Sequence, residues 1–245
     1  MRAFKADLHI HSVLSPCGGL EMSPSALVSR AKEIGLDWIA ITDHNSLANC
    51  SAYEQVARAA GLAFSWGVEV QSAEEIHILV YFDDSEAARS FDQALYNSLI
   101  PMQNDVDFFG DQVVIDENED IIRMENRALA NSSLWELGEL CEQALAHDGF
   151  VVPAHVDAGA NSIISQLGFI PDDPVFDAFG ITARCDIAKW KARQPYFVDK
   201  AFIRSSDAHY LSDLGSGYST ILVNEPTVRE LRLAALGLDD RRIDI

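Results

Sequence analysis

The chain has 245 residues, 48% of them apolar and 23% charged, enough to bury a sizeable core and too apolar for a disordered protein. Four scattered cysteines (Cys17, Cys50, Cys141 and Cys185) give no disulfide framework, and neither a leader pattern nor a run of eighteen apolar residues occurs, so a soluble, cytoplasmic chain with no membrane partner is expected. The net charge of -20 speaks against a long nucleic acid as partner, because such binding depends on Lys and Arg displacing counterions, while small anions stay accessible through bound divalent metals.

In chain order, apolar β-rich runs alternate with helical segments, which predicts one α/β domain over 1–245 with parallel strands joined by crossovers. FKADLHIH reads as a strand, followed by a helix with Ser23 as N-cap, Pro24 at its first position and Gly35 as its stop. LDWIAIT, LAFSWGVEV and IHILVYF read as strands, with SAYEQVARAA a helix after the first of them. The stretch at about 83–148 breaks the rhythm and reads as an insertion: a helix in EAARSFDQALYNSLI, a hairpin in DQVVIDENEDII turning at its acidic cluster, and a helix opened by Ser133 with Glu136. It either pads the domain or walls the pocket and selects substrates. The strands GFVVPAH, DAFGITA, AFIRSS and STILVN complete the chain.

Six of the seven histidines fall at strand ends: His9, His11, His44, His77, His155 and His209. His77 opens its strand, so that strand begins earlier or the side chain reaches the site from the strand's start. His9 and His11 lie two residues apart, as do Asp207 and His209, and on an extended strand such pairs project to one face roughly 6 to 7 Å apart. Imidazoles and carboxylates are ligands for divalent transition metals, and the two oxygens of Glu69 can bridge neighbouring ions.

DLHIHS, AITDHNS, GVEV, PAHVD and SSDAHY, in this order and each on an expected strand, resemble the successive motifs of the PHP (polymerase and histidinol phosphatase) family. The resemblance implies a distorted seven-stranded β/α barrel of TIM-like type, two or three divalent metal ions (Mn, Fe or Zn) and phosphoesterase activity. It makes His9, His11, Glu69 and Asp207 ligands of a first metal, and Glu69, His77 and His155 ligands of a second. His44 and His209 match ligands of a third, whose remaining position falls on Cys17, where histidinol-phosphatase-like members usually carry His. Cys17 is then a thiolate ligand favouring Zn or Fe, or a neutral thiol beside a labile site.

Around this set, Asp43 is placed to orient an imidazole. Asp7 shares the strand face of His9 and has no assigned role; His147 fits a helix C-terminal cap. Arg184 either grips a substrate phosphate or makes a surface salt bridge, and Lys189, Lys191 and Arg193 either form a solvated helix face or guide anions inward. The expected function is hydrolysis of a small phosphomonoester or nucleotide by a metal-bridging hydroxide, with the chemistry resting on Glu69, Asp207 and His209. Two alternatives stand beside it: metal-dependent hydrolysis of an amide or lactone, and a catalytically silent metal-binding interaction module.

Overall fold

The computed structural model describes residues 1–245. The strands are β1 (Arg2–Ile10), β2 (Trp38–Ile41), β3 (Ala63–Gln71), β4 (His77–Phe82), β5 (Val113–Ile115), β6 (Ile121–Met124), β7 (Phe150–Pro153), β8 (Ala178–Ile181), β9 (Ala201–Arg204), β10 (Ser219–Val223) and β11 (Arg242–Asp244). The helices are α1 (Pro24–Glu33), α2 (Cys50–Ala59), α3 (Ser85–Ser98), α4 (Val106–Phe109), α5 (Leu137–Ala146), α6 (Ile163–Leu167), α7 (Ile187–Arg193) and α8 (Val228–Ala235). None is long and apolar enough to cross a membrane.

Seven strands form one curled half-barrel sheet in the order β11-β10-β1-β2-β3-β4-β7, with β5–β6 and β8–β9 as separate pairs. The Val156 N–H donates to Gly180 O at 2.9 Å and the His11 N–H to Ala208 O at 2.9 Å, so the chain just past β7 meets β8, and β1 meets the chain just past β9. Only β1–β2, β2–β3 and β8–β9 are parallel; β4 runs antiparallel to both β3 and β7, and β10 to β1. The all-parallel repeat expected from the sequence is therefore replaced by a mixed sheet. The reason is that β3 and β4 are joined by only five residues, too few for a crossover and enough for a hairpin.

Alternate residues of the central strands enter two cores, as a period of two requires. Leu8, Trp38, Ala40, Leu79, Tyr81 and Val152 meet inside the curl, where the Tyr81 hydroxyl donates across it to Leu8 O at 2.8 Å. Ile39, Ile41, Val68, Val80 and Val151 pack outward with helix residues such as Leu27, Val28, Phe91 and Leu140. Strands buried on both faces read as continuous apolar runs, which is why they were visible in the sequence.

The segment between β4 and β7 carries α3, α4, the β5–β6 hairpin and α5. The hairpin turns at the acidic cluster, as expected, and Glu119 at its tip accepts from Ser23 Oγ and from Ser25 N–H, both at 2.9 Å. Ser23 does precede α1, but its own side chain makes no cap bond; the distant Glu119 supplies the acceptor. The last helix of the segment begins at Leu137, not at Ser133. Ser133 is tied by its N–H to Gln71 O at 2.8 Å, while Glu74 accepts the Leu137 N–H at 3.0 Å.

Candidate metal centre

Nine side chains from six stretches of chain converge at one end of the curl. His9 and His11 come from β1 and the residue after it, Cys17 from the loop that follows, and His44 from just beyond β2. Glu69 lies in β3, His77 opens β4, His155 follows β7, and Asp207 and His209 follow β9. His77 resolves its own anomaly. Because β4 is antiparallel to β3, its first residue lies at the edge where the parallel strands end; Glu69 pairs directly with Leu79, so Glu69 and His77 share the inner face.

The inward aim of His9 and His11 depends on a bulge in β1. Asp7 pairs with Ile39 and Ile10 with Ile41, so β1 spends three residues where β2 spends two. Asp7 and Ile10 stay in step with the outward Ile39 and Ile41, and Leu8 and His9 both face inward. Asp7 therefore does not share the face of His9. It is fully buried, accepts from the Ser206 N–H at 3.0 Å and the Gly215 N–H at 3.2 Å, and burial raises its carboxyl to about 6. Its place is under the loop that carries Asp207. That loop is not an extended strand, since Asp207 has φ 55°; His155, just past β7, has φ 28°, and such positive-φ conformations cost about 1 to 3 kcal/mol each in a non-glycine residue and are concentrated at functional sites.

The Glu69 carboxylate, 1% exposed, is the hub. Its oxygens lie 3.2 Å from His9 Nε2, 3.5 Å from His11 Nε2, 3.1 Å from His44 Nδ1, 3.0 Å from His77 Nδ1 and 3.1 Å from His155 Nε2. Asp207 Oδ1 lies 3.2 Å from His9 Nε2 and 3.1 Å from His11 Nε2. Burial alone would raise Glu69, but the surrounding imidazoles hold it well below the usual carboxylate range. Burial would lower His9, yet Asp207 and Glu69 outweigh it and raise it to about 9; burial and the neighbouring His44 push His11 down to about 3.

Five imidazole nitrogens around one carboxylate exceed what its lone pairs can accept, and His9 Nε2 and His155 Nδ1 are buried without a hydrogen-bond partner. Buried polar groups otherwise find partners, so this donor set fits divalent cations. Ligand atoms of His9, His11 and Glu69 lie within 4.8 Å of one another, as do those of His44, Glu69 and His77, and those of His11, Cys17, His44 and His209. Cys17 sits at the exposed rim of the last group. Desolvation would raise its thiol, but hydrogen bonds to His209 and His44 lower it to about 7. Gly18 lets this loop fold back, since a Cβ there would lie 2.4 Å from Ser12 O.

Other expectations are placed as follows. Asp43 touches no imidazole; it accepts from the Ser15 hydroxyl at 2.7 Å, and Ser15 Oγ lies 2.9 Å from His11 Nδ1. Arg184 is exposed and absent from the walls of the adjoining pocket of about 460 Å³, which contain Thr182 and Asn161 but no Lys or Arg. Lys189 and Lys191 lie on α7, paired with Asp186 at 2.9 Å and Val198 O at 3.0 Å, also away from those walls. His147 caps α5 through Gln143 O at 2.8 Å. Sequence reading passed over Ser15 and Asn161, whose amide lies 2.9 Å from His77 Nε2; nothing beyond proximity in the chain would have singled out Ser15, and nothing Asn161.

A family model describing the PHP domain matches residues 7–147. The chain belongs to the PHP domain family. Among proteins similar to this PHP domain is the uncharacterized protein YqxK of Bacillus subtilis (strain 168), 29% identical over 130 residues, which are 49% of this chain and 33% of that one. The lesion-specific endonuclease PfuEndoQ of Pyrococcus furiosus superposes with a TM-score of 0.76 at 18% identity, over 99% of this chain and 58% of its own. Endonuclease Q in complex with a 27-mer duplex substrate, an abasic lesion at its active site, gives 0.70 at 20% identity over 98% and 58%. A protein from Bifidobacterium adolescentis assigned as a metal-dependent phosphoesterase gives 0.53 at 19% identity over 83% and 87%. This PHP domain thus spans a third of the length of YqxK and 58% of endonuclease Q.

One expectation is overturned here. The exclusion of long nucleic acid as a partner fails, because endonuclease Q, of the same fold, takes duplex DNA. A net charge summed over the whole surface does not fix the field at one site. The field at the candidate site is set locally, by its imidazoles and by any ions that they hold.

Proposed function

We propose that this PHP domain is a metal-dependent phosphoesterase. The observation that carries the reading is the buried Glu69 carboxylate shared by five imidazoles beside a pocket without a single Lys or Arg in its walls. Charge to hold a phosphate must then come from cations. His9, His11, Glu69 and Asp207 would hold one ion, Glu69, His77 and His155 a second, and Cys17, His44 and His209 a third, drawn from Mn, Fe and Zn. Such ions supply Lewis-acid stabilisation of developing negative charge and a more acidic water. Glu69 fixes the spacing between ligand groups, and Asp207 Oδ1 hydrogen-bonds His11 Nε2 while lying 3.2 Å from His9 Nε2. Asp157, which accepts the Thr182 N–H at 2.8 Å and its hydroxyl at 2.6 Å, stiffens the opposite wall.

The substrate class is a phosphate ester small enough to enter about 460 Å³, either free or displayed by a nucleic acid strand that presents one nucleotide to the pocket. The test is hydrolysis by metal-stripped protein with Mn, Fe or Zn added back, on phosphomonoesters, nucleotides, duplex DNA with an abasic site, carboxylic esters, lactones and amides. Restored turnover of a phosphate substrate alone is expected. Turnover confined to lactones or amides would move the chain to the other hydrolase class, and a metal-loaded protein inert on every substrate would make it a silent binding module.

A further inference from the structure

Ser15 is fully buried, and its hydroxyl is a junction of three hydrogen bonds. It donates to Asp43 Oδ1 at 2.7 Å, accepts from the His44 N–H at 3.2 Å, and lies 2.9 Å from His11 Nδ1. A hydroxyl has one proton and two lone pairs. With the proton committed to the carboxylate and one lone pair to His44, only a lone pair remains for His11. The Asp43 side is equally determined. Ser12 Oγ accepts from the Leu14 N–H and the Asn49 amide, both at 3.1 Å, so its own proton goes to Asp43 Oδ2 at 2.5 Å; the Ser12 N–H donates to Oδ1 at 2.7 Å. Every neighbour of this carboxylate is a donor.

We infer that Ser15 is a positioning residue that keeps a proton on His11 Nδ1, so that Nε2, which faces Glu69 and Asp207, is the nitrogen that gives its lone pair to a cation bound between them, and that through the His44 N–H it holds a second ligand in register. The inference rests on the reading that His11 binds metal through Nε2. It goes further by assigning the group that selects the tautomer, which is the role outer hydrogen bonds play for metal-binding histidines generally.

The test uses the whole chain and zinc as probe. In metal-free wild type, nitrogen-resolved NMR of the His11 ring should show a proton on Nδ1. Ser15→Ala should shift His11 toward the Nε2–H form and weaken zinc affinity, measured against a competing chelator, by about 10- to 100-fold, with Ser15→Thr restoring most of it. A folded Ser15→Ala protein with unchanged zinc affinity and an unchanged Nδ1 proton would overturn the inference. So would a wild-type His11 ring with no proton on Nδ1, a measurement that decides the matter even if Ser15→Ala does not fold. Wild type that binds zinc but hydrolyses nothing overturns only the phosphoesterase reading, whereas wild type that binds no zinc overturns the metal reading and this inference together.

Discussion

Glu69→Gln isolates the charge at the hub while keeping its shape. A neutral amide cannot neutralise the cations proposed to bind there, so hydrolysis should fall by at least about 100-fold, the scale seen when one charge-organising group is removed from an enzyme. Circular dichroism should stay near wild type and bound metal should drop. Near-normal turnover by a metal-loaded, folded variant would contradict the role given to Glu69. Cys17 is tested by its colour. A thiolate bound to Co(II) gives a near-ultraviolet charge-transfer band, which should be present in the cobalt-loaded protein, absent in Cys17→Ala, and absent in Cys17→His although that variant retains the metal. An identical spectrum for wild type and Cys17→Ala would remove the thiol from the ligand set and leave only His44 and His209 for that ion.

At the scale of elements, the hairpin and α1 stabilise one another through Glu119. Glu119→Ala leaves the Ser25 N–H without its acceptor and should cost about 0.5 to 2 kcal/mol in urea unfolding, the range for loss of a helix N-terminal cap. The Ser25 hydrogen bonds hold this carboxyl below its ordinary value, so its contribution is complete above the unfolded pKa of about 4.3 and is lost as pH falls through the lower folded value. The gap between wild type and variant should therefore narrow from pH 7 to pH 3; a constant gap would count against the clamp. Strand positions were legible because β1 to β4 and β7 are buried on both faces and stand out as apolar runs, and the site was legible because His9, His11, His44, Glu69 and Asp207 sit in recognisable motifs. Strand direction was not legible. A period of two is the same read forward or backward, so the extra residue of β1 left no trace, and the antiparallel β4 left only one, His77 at the opening of its strand where the other candidate ligands lie at strand ends. The start of α5 was misplaced because its cap, Glu74, lies 63 residues away in sequence. The three-residue β11 offers only Arg242, Ile243 and Asp244, too short a pattern to register.

For the molecule as a whole, the proposed ligands are drawn from residues 9 to 209, so metal binding would be coupled to global stability. Ions that bind only the folded chain add about 2.7 kcal/mol at a free concentration 100 times their dissociation constant, which for a chain of this size raises the melting temperature by several degrees. Stripping with a chelator should lower the melting temperature by that amount and readdition should restore it. An unchanged value would mean that the cluster holds no ion under those conditions.

The contact between His11 and Asp207 spans 196 residues. Closing so long a loop is entropically unfavourable until most of the intervening structure exists, so the centre is among the last features of the fold to assemble. An incomplete chain, such as one still emerging from the ribosome with nothing yet made beyond Ser205, has no Asp207 or His209 to offer. An ion that needs Asp207 or His209 therefore cannot act as a folding template for the segments before them; it is acquired afterwards. Refolding rates should accordingly be the same with and without a chelator, with metal uptake appearing as a separate, later phase, and faster refolding in the presence of zinc would show the reverse order.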